Sequence, residues 1–305
     1  MRYWVGVTDY DWFQFLASLP DVDEVNFWQP SAARQAVILQ PGAQFVFKLH
    51  AARGGFIVGG GTFVRYTKMS PRWAWDTFGV KNGALSMELM RTRIARYRGR
   101  SVDLETDEIG AFVLVEPYFL PPEQWITAPP DWAPNIVQGK TFDSTAGTGA
   151  VLWEQLQLAR AALGPTIAIE QPAAYGTPIL VAPRLGQGAF RVLVTDAYGR
   201  RCAITGERTM PVLEAAHVKP YSLDGPHAID NGLLLRSDLH TLFDRGYVTV
   251  TPDLKVRVSR RIREEFENGR DYYALDGRSI NSPVAPYSPP RRDFLEWHSD
   301  TVYRR

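Results

Sequence analysis

The stretch Leu213–Gly246, LEAAHVKPYSLDGPHAIDNGLLLRSDLHTLFDRG, limits the possible local folds of this chain more than any other segment. Val212 to Lys219 is a short apolar run of strand type, and Asp230 to Asp244 reads as a loop that leads into a helix. Gly246 to Val258, GYVTVTPDLKVRV, follows as two β-type runs about a Pro252-Asp253 turn. Strand, strand, loop and helix in this order make a ββα unit. Within it the sequence sets His217 on an apolar run, Asn231 after a turn and His240 on the helix, with Asp244 one turn further on.

These residue types at these places suit hydrolysis of a phosphodiester. The reaction needs a nucleophile made from water, neutral charge at the phosphate oxygens and a stabilised leaving oxygen. A histidine titrates in the range that deprotonates water near neutral pH, which makes His217 a candidate base. Its second ring nitrogen needs a partner to set the tautomer, and Asn231 is a candidate through side chain or backbone. His240 and Asp244, four apart on a helix, can reach one cation, and mixed nitrogen and oxygen donors suit Mg²⁺ or Mn²⁺. Taken singly, each residue has a plainer reading: a core histidine, a turn asparagine, an exposed helical pair. In this order and pattern the chemical reading outweighs them.

At 305 residues the chain can build two domains, each with its own core, and 45% hydrophobic and 22% charged residues are globular values. No apolar run approaches the ~20 residues that span a bilayer, and MRYWVGVTDYDWF lacks the pattern of a secretory signal. The single cysteine, Cys202, allows no internal disulfide, so a cytoplasmic, membrane-free protein is expected. A net charge of +1 does not announce a polyanion partner, although arginines gather on both sides of the motif at Arg191, Arg200, Arg201 and Arg208, then at Arg257, Arg260, Arg261 and Arg263.

The two halves differ in build. Residues 1–143 hold seven of the nine tryptophans. Runs such as YWVGV, AQFVFKLH, GFIVGGGTFVRY and IGAFVLVEPYFL predict an antiparallel sheet or barrel. Gly59-Gly60-Gly61 inside one run predicts a bulge or a close backbone approach, and Ser86 to Tyr97 predicts a helix. Residues 144–183 read as a linker with a helix from Ala150 to Leu163, followed by the proline-rich PTIAIEQPAAYGTP. Residues 184–305 read as α+β, with a helix from Gln187 to Tyr198 and a short strand or turn at CAITG.

The motif resembles the HNH endonuclease family, whose signature is His, Asn and His on a ββα-metal fold. The matching residues are CAITG from Cys202, EAAH ending at His217, NGLLLR from Asn231 and DLHTLFD from Asp238. That resemblance implies His217 as general base, Asn231 as positioning residue and His240 as metal ligand, with Asp244 in a place where many relatives carry a metal-binding histidine or asparagine. Two departures stand out. Ala216 occupies the position where many relatives carry a ligand, so the metal must recruit Asp244, Glu214 or Asp238, or rely on water and phosphate. The paired cysteines of a structural zinc clip are missing, so no structural zinc is expected and Cys202 is expected to be a packed thiol.

The first half weakly resembles the EVE branch of PUA-like domains, small β-barrels that hold a flipped, often modified base. The patterns are YWVGV, VNFWQPS, FVFKLHA, IVGGGTF, FGVKNGA and IGAFVLVEPYF. Together the resemblances imply an α+β protein with a PUA-like (EVE-like) β-barrel and a ββα-metal HNH domain, acting as a modification-dependent DNA endonuclease. A flipped base needs aromatic walls and contacts to its edge, for which Trp4, Tyr10, Trp12, Asn26, Phe27 and Trp28 are candidates. Lys48, Arg53, Lys81, Lys219 and Arg236 are candidate phosphate contacts. The expected partner is double-stranded DNA with a modified cytosine, the expected assembly a homodimer. A restriction or homing endonuclease for unmodified DNA and a non-catalytic nucleic-acid binder with a decayed core are the alternatives.

Overall fold

The computed structural model describes residues 1–32, 39–164 and 185–305. The chain divides into two compact units, Met1–Arg184 and Leu185–Arg305. The proline-rich part of the expected linker lies outside the described residues. Among the described residues no helix is long and apolar enough to cross a membrane.

The first unit is built on a six-stranded sheet of β1 (Arg2–Thr8), β2 (Glu24–Gln29), β3 (Gln44–Leu49), β4 (Ile57–Met69), β5 (Ile109–Phe119) and β6 (Gly139–Asp143). Their order is β2-β5-β4-β3-β1-β6. Four neighbouring pairs are antiparallel, but β1 and β3 run parallel, Trp4 facing Phe45 and Thr8 facing Leu49. The sheet is therefore mixed where the sequence predicted antiparallel. Among the described residues β2 and β6 are its edges and no closed barrel forms.

Period-2 alternation explains the cores on either side of this sheet. From β1 and β3, Trp4, Phe45, Phe47 and Leu49 enter one cluster with Trp12, Phe27 and Phe112. Tyr3, Val5 and Val46 enter the other. α1 (Tyr10–Ala17) covers the first face with Trp12, Phe13 and Leu16. α2 (Pro71–Phe78) and α3 (Met87–Arg98) each start at a serine, Ser70 or Ser86, whose hydroxyl accepts the backbone N–H three residues on. α4 (Gly147–Ala162) lies on the second face through Leu152 and Leu156, and the Tyr3 hydroxyl donates to Gly149 O at 2.7 Å. The helix predicted in the linker thus packs on the first unit.

Gly59 and Gly60 have the predicted close approach. A Cβ at Gly59 would stand 2.2 Å from Tyr118 O and one at Gly60 2.7 Å from Phe45 O, and the β4–β5 register shifts beside them. Both neighbouring backbones occupy the space that a side chain would need.

The second unit begins with α5 (Gln187–Ala197), then carries β7 (Leu213–His217), β8 (Gly232–Arg236) and α6 (Ser237–Asp244). Here the structure replaces part of the predicted loop with a strand. β8, GLLLR, pairs antiparallel with β7 from Leu213–Arg236 to His217–Gly232. Leucines have no strong strand preference of their own, so pairing and burial on a core decide. β9 (Val248–Val250) and β10 (Val256–Val258) form the predicted hairpin, and α7 (Arg261–Phe266), α8 (Arg270–Tyr273) and α9 (Arg292–Thr301) complete the unit. One core joins Phe190, Val194, Leu213, Leu235, Leu239 and Phe243. Cys202 is fully buried there, and its sulfur receives the Arg236 N–H at 3.4 Å. CAITG is a turn, closed by Gly206 N–H on Cys202 O at 2.9 Å.

Candidate active site

The ββα element of the second unit lines one cavity of about 440 Å³, with Glu214 from the start of β7, His217 from its end and His240 and Asp244 from α6. Each side chain owes its place to a local cause. Pairing of β7 with β8 brings Gly232 opposite His217, and α5 crosses so closely there that a Cβ on Gly232 would stand 2.4 Å from Val194 and 3.1 Å from Phe190. That approach lays the Phe190 ring on the His217 imidazole, with centroids 3.8 Å apart and planes 11° from parallel. Because α6 follows β8 with no intervening loop, its buried Leu239 and Phe243 orient His240 back toward β7.

His240 lies between two carboxylates. Its Nδ1 is 2.6 Å from Glu214 Oε2, and its Nε2 is 3.3 Å from Asp244 Oδ2 one helical turn away. Burial, with the Glu214 charge added, pushes the Asp244 carboxyl up, against the opposing pull of His240. The sequence offered Glu214 only as one of three stand-ins for Ala216; the structure selects it as the close neighbour of His240. Ala216 is fully buried, and Asp238 is turned away to Arg236, bonded at 2.6 and 2.7 Å.

His217 is held down to about 4, first by burial and then by the charges of His227 and His240, so the ring is neutral at pH 7. Its Nε2 is 2.9 Å from Nδ1 of His227. Asn231 does not bond the His217 ring. Its fully buried amide clamps the loop between β7 and β8, where Oδ1 accepts from Lys219 N–H and Nδ2 donates to Lys219 O and Pro226 O, each at 2.9 Å. Its backbone carbonyl also accepts from Val218 N–H at 2.9 Å. The Asn231 side chain thus supports the loop and not the His217 ring.

Sequence reasoning missed His227 and His298. His227 stands four residues before Asn231 in a Gly-Pro turn, and its contact with His217 marks it. His298 lines the cavity from α9 but is 2% exposed, stacked on Phe243 at 3.7 Å, with both ring nitrogens bonded. Nε2 donates to Phe243 O at 3.1 Å, and Nδ1 meets the Thr249 hydroxyl at 2.8 Å. Burial lowers it to about 4.

The candidates in the first unit are mostly built into its core. Trp4, Trp12 and Phe27 are 7%, 4% and 7% exposed, and Trp12 packs edge-on to Phe27 and Phe47. Asn26 is fully buried and donates to Asn82 Oδ1 at 2.8 Å; its own Oδ1 has no partner. Lys48 is 3% exposed, donates to Leu49 O at 3.1 Å and lies over the Trp132 ring, so its ammonium faces protein and not solvent. Lys81 pairs with Asp23 and Glu24. Trp28, bonded to Asn82 O, and Tyr10, under the Arg53 guanidinium, retain partial exposure.

Residues 202–251 match the family model of the HNH endonucleases. No curated protein matches the sequence. Among solved structures, the modification-dependent TagI restriction endonuclease is 14% identical, with a TM-score of 0.31, over 98% of this chain and 81% of that one. A mutant of the ZmASCH protein from Zymomonas mobilis is 11% identical, with a TM-score of 0.33, over 52% of this chain and 97% of that one.

Proposed function

We propose, from the HNH endonuclease domain in the second unit, that this protein hydrolyses the phosphodiester backbone of double-stranded DNA. One observation carries the reading: His217 and the Glu214–His240–Asp244 group converge on a single cavity of a ββα element. In this reading His217 takes a proton from water, the water oxygen bonds to phosphorus, and the P–O3′ bond breaks, the O3′ oxygen leaving with a proton taken from solvent. A neutral ring can accept that proton, but a base of about 4 is weak against water. The phosphodiester anion supplies the correction, since a negative charge beside the ring favours its protonated form. Lys219, next but one to the base, and Arg236, paired with Asp238, are the proposed phosphate contacts. One site per chain cuts one strand, so a double-strand break takes a dimer or two successive encounters.

A divalent cation, Mg²⁺ or Mn²⁺, belongs to the family reading, and Glu214, His240 and Asp244 have the right donor chemistry. Their placement does not fit one. His240 directs both nitrogens at the carboxylates, and among the described residues no group of three His, Cys, Asp or Glu side chains is arranged to hold a metal ion. Proton transfer to His217 is accordingly assigned to the chain's own residues. The same clamp on His240 favours the second reading, a non-catalytic nucleic-acid binder.

The first unit is proposed to choose the DNA by reading a modified cytosine, flipped from the helix, with Trp28 and Tyr10 as the aromatic groups still within reach. Digestion of matched unmodified, methylated and hydroxymethylated DNA with Mg²⁺ or Mn²⁺ tests both halves of this reading. Preference for a modified substrate is expected, abolished in His217→Ala. Equal cutting of all three would leave a nuclease without modification dependence, and no nicking by either protein would favour the binder.

A further inference from the structure

The identity of the nitrogen that does the work in His217 follows from what surrounds the ring. One face is covered by Phe190, stacked at 3.8 Å, and Nε2 is turned to Nδ1 of His227 at 2.9 Å. At that distance one nitrogen carries the hydrogen and the other accepts it. His217 lines the cavity with Glu214, His240 and Asp244, whereas His227 is not among its lining residues. With Nε2 turned to His227, the nitrogen left for a reacting water is Nδ1. A base needs that nitrogen bare, so the ring hydrogen must sit on Nε2.

We propose that His227 is the positioning residue of the base: its Nδ1 accepts the Nε2–H of His217 and fixes the tautomer whose Nδ1 lone pair faces the cavity. The inference rests on the reading of His217 as general base. It assigns to His227 the task expected of Asn231, whose amide has one acceptor and two donors already bonded to Lys219 and Pro226. Pro226 immediately precedes His227, so Asn231 acts on the base at one remove, by holding the turn that presents the second imidazole. His227 is itself oriented by Tyr221, whose ring lies parallel at 4.4 Å and 11°. His298 shows the contrast within one unit. With Nε2–H on a carbonyl and Nδ1 on a hydroxyl, it has a fixed tautomer and no nitrogen for chemistry.

The tautomer can be read without any substrate. Two-bond ¹H–¹⁵N correlation spectra of the full chain, with His217 assigned by His217→Ala, are expected to show Nε2–H and bare Nδ1. In His227→Ala that state is expected to give way to a mixture, and His227→Asn, whose Oδ1 falls near the place of Nδ1, to restore it. Single-turnover nicking of unmodified and methylated supercoiled plasmid with Mg²⁺ or Mn²⁺ should fall about tenfold to a hundredfold in His227→Ala, with DNA affinity unchanged and the Asn variant recovering most of the loss. An Nδ1–H His217 in the wild-type chain would overturn the proposal, as would a His217 tautomer that His227→Ala leaves in place. Failure of the underlying reading looks different: His217→Ala would then nick as fast as the wild type.

Discussion

The two units use the same kind of side chain to opposite ends. In the first, aromatic rings face one another: Trp12 meets Phe27 and Phe47 edge-on, and Phe45 and Phe112 close the same cluster. In the second, Phe190 and Tyr221 lie flat on imidazoles at 3.8 and 4.4 Å, and those imidazoles keep nitrogens available for hydrogen bonds. A ring that packs on another ring contributes stability, whereas a ring that packs on a histidine also sets its orientation and charge state. Aromatic rings therefore build the core of both units, and in the second Phe190 and Tyr221 also hold the imidazoles of the candidate site.

The largest way to break that comparison is His217→Ala. Nicking should fall about 10²–10⁴-fold, the range for a lost general base, with the urea midpoint little changed; a loss below about threefold would put the imidazole on the structural side with Trp12. Trp12→Ala should do the reverse. It should cost about 3–5 kcal/mol of unfolding free energy in the first unit, measured by urea melts, with the His217 spectrum untouched.

Acid should separate the units as well. His298 and His217 are both held to about 4, below the 6.5 of the unfolded chain, so between those values the unfolded state binds more protons. Their contribution is complete above pH 6.5 and is lost as pH falls toward 4. For buried His298 this is roughly 3 kcal/mol, checked by melts of the wild type and His298→Leu at about pH 7 and pH 4.5. A slope that survives in His298→Leu and His217→Ala together would place its source elsewhere. The smallest effect is expected for half-buried Trp28. Trp28→Ala should cost about 1 kcal/mol or less for its bond to Asn82 O, yet weaken binding of modified DNA in a gel-shift titration.

Legibility followed the same division. The ββα site was readable because core packing and turn formation seldom place two histidines, an asparagine and an aspartate at such spacing in an apolar segment. Its second strand was not, because GLLLR carries no β-branched residue and becomes a strand through its pairing with β7. α1 escaped for a related reason: YDWFQFLA is as aromatic as the neighbouring strands, and Asp9 makes no side-chain cap to announce a helix start. The parallel β1–β3 pair and the open edges depend on contacts distant in sequence, which local patterns do not encode. His227 gave no signal because its partner, ten residues earlier, is adjacent only once the loop closes. In the first unit, burial of Trp4, Trp12 and Phe27 agrees with the commoner fate of such residues in a small sheet domain.

Gly232 has a consequence that reaches beyond the strand it starts. Because nothing projects from it, α5 settles on β8 and Phe190 comes to rest on His217. A single added methyl would act as a wedge set apart from any reacting atom, tilting the helix outward and letting water onto the back of the imidazole. Placement by distance is thus written into this chain as an omission: the environment of His217 depends on a side chain that its strand partner does not have.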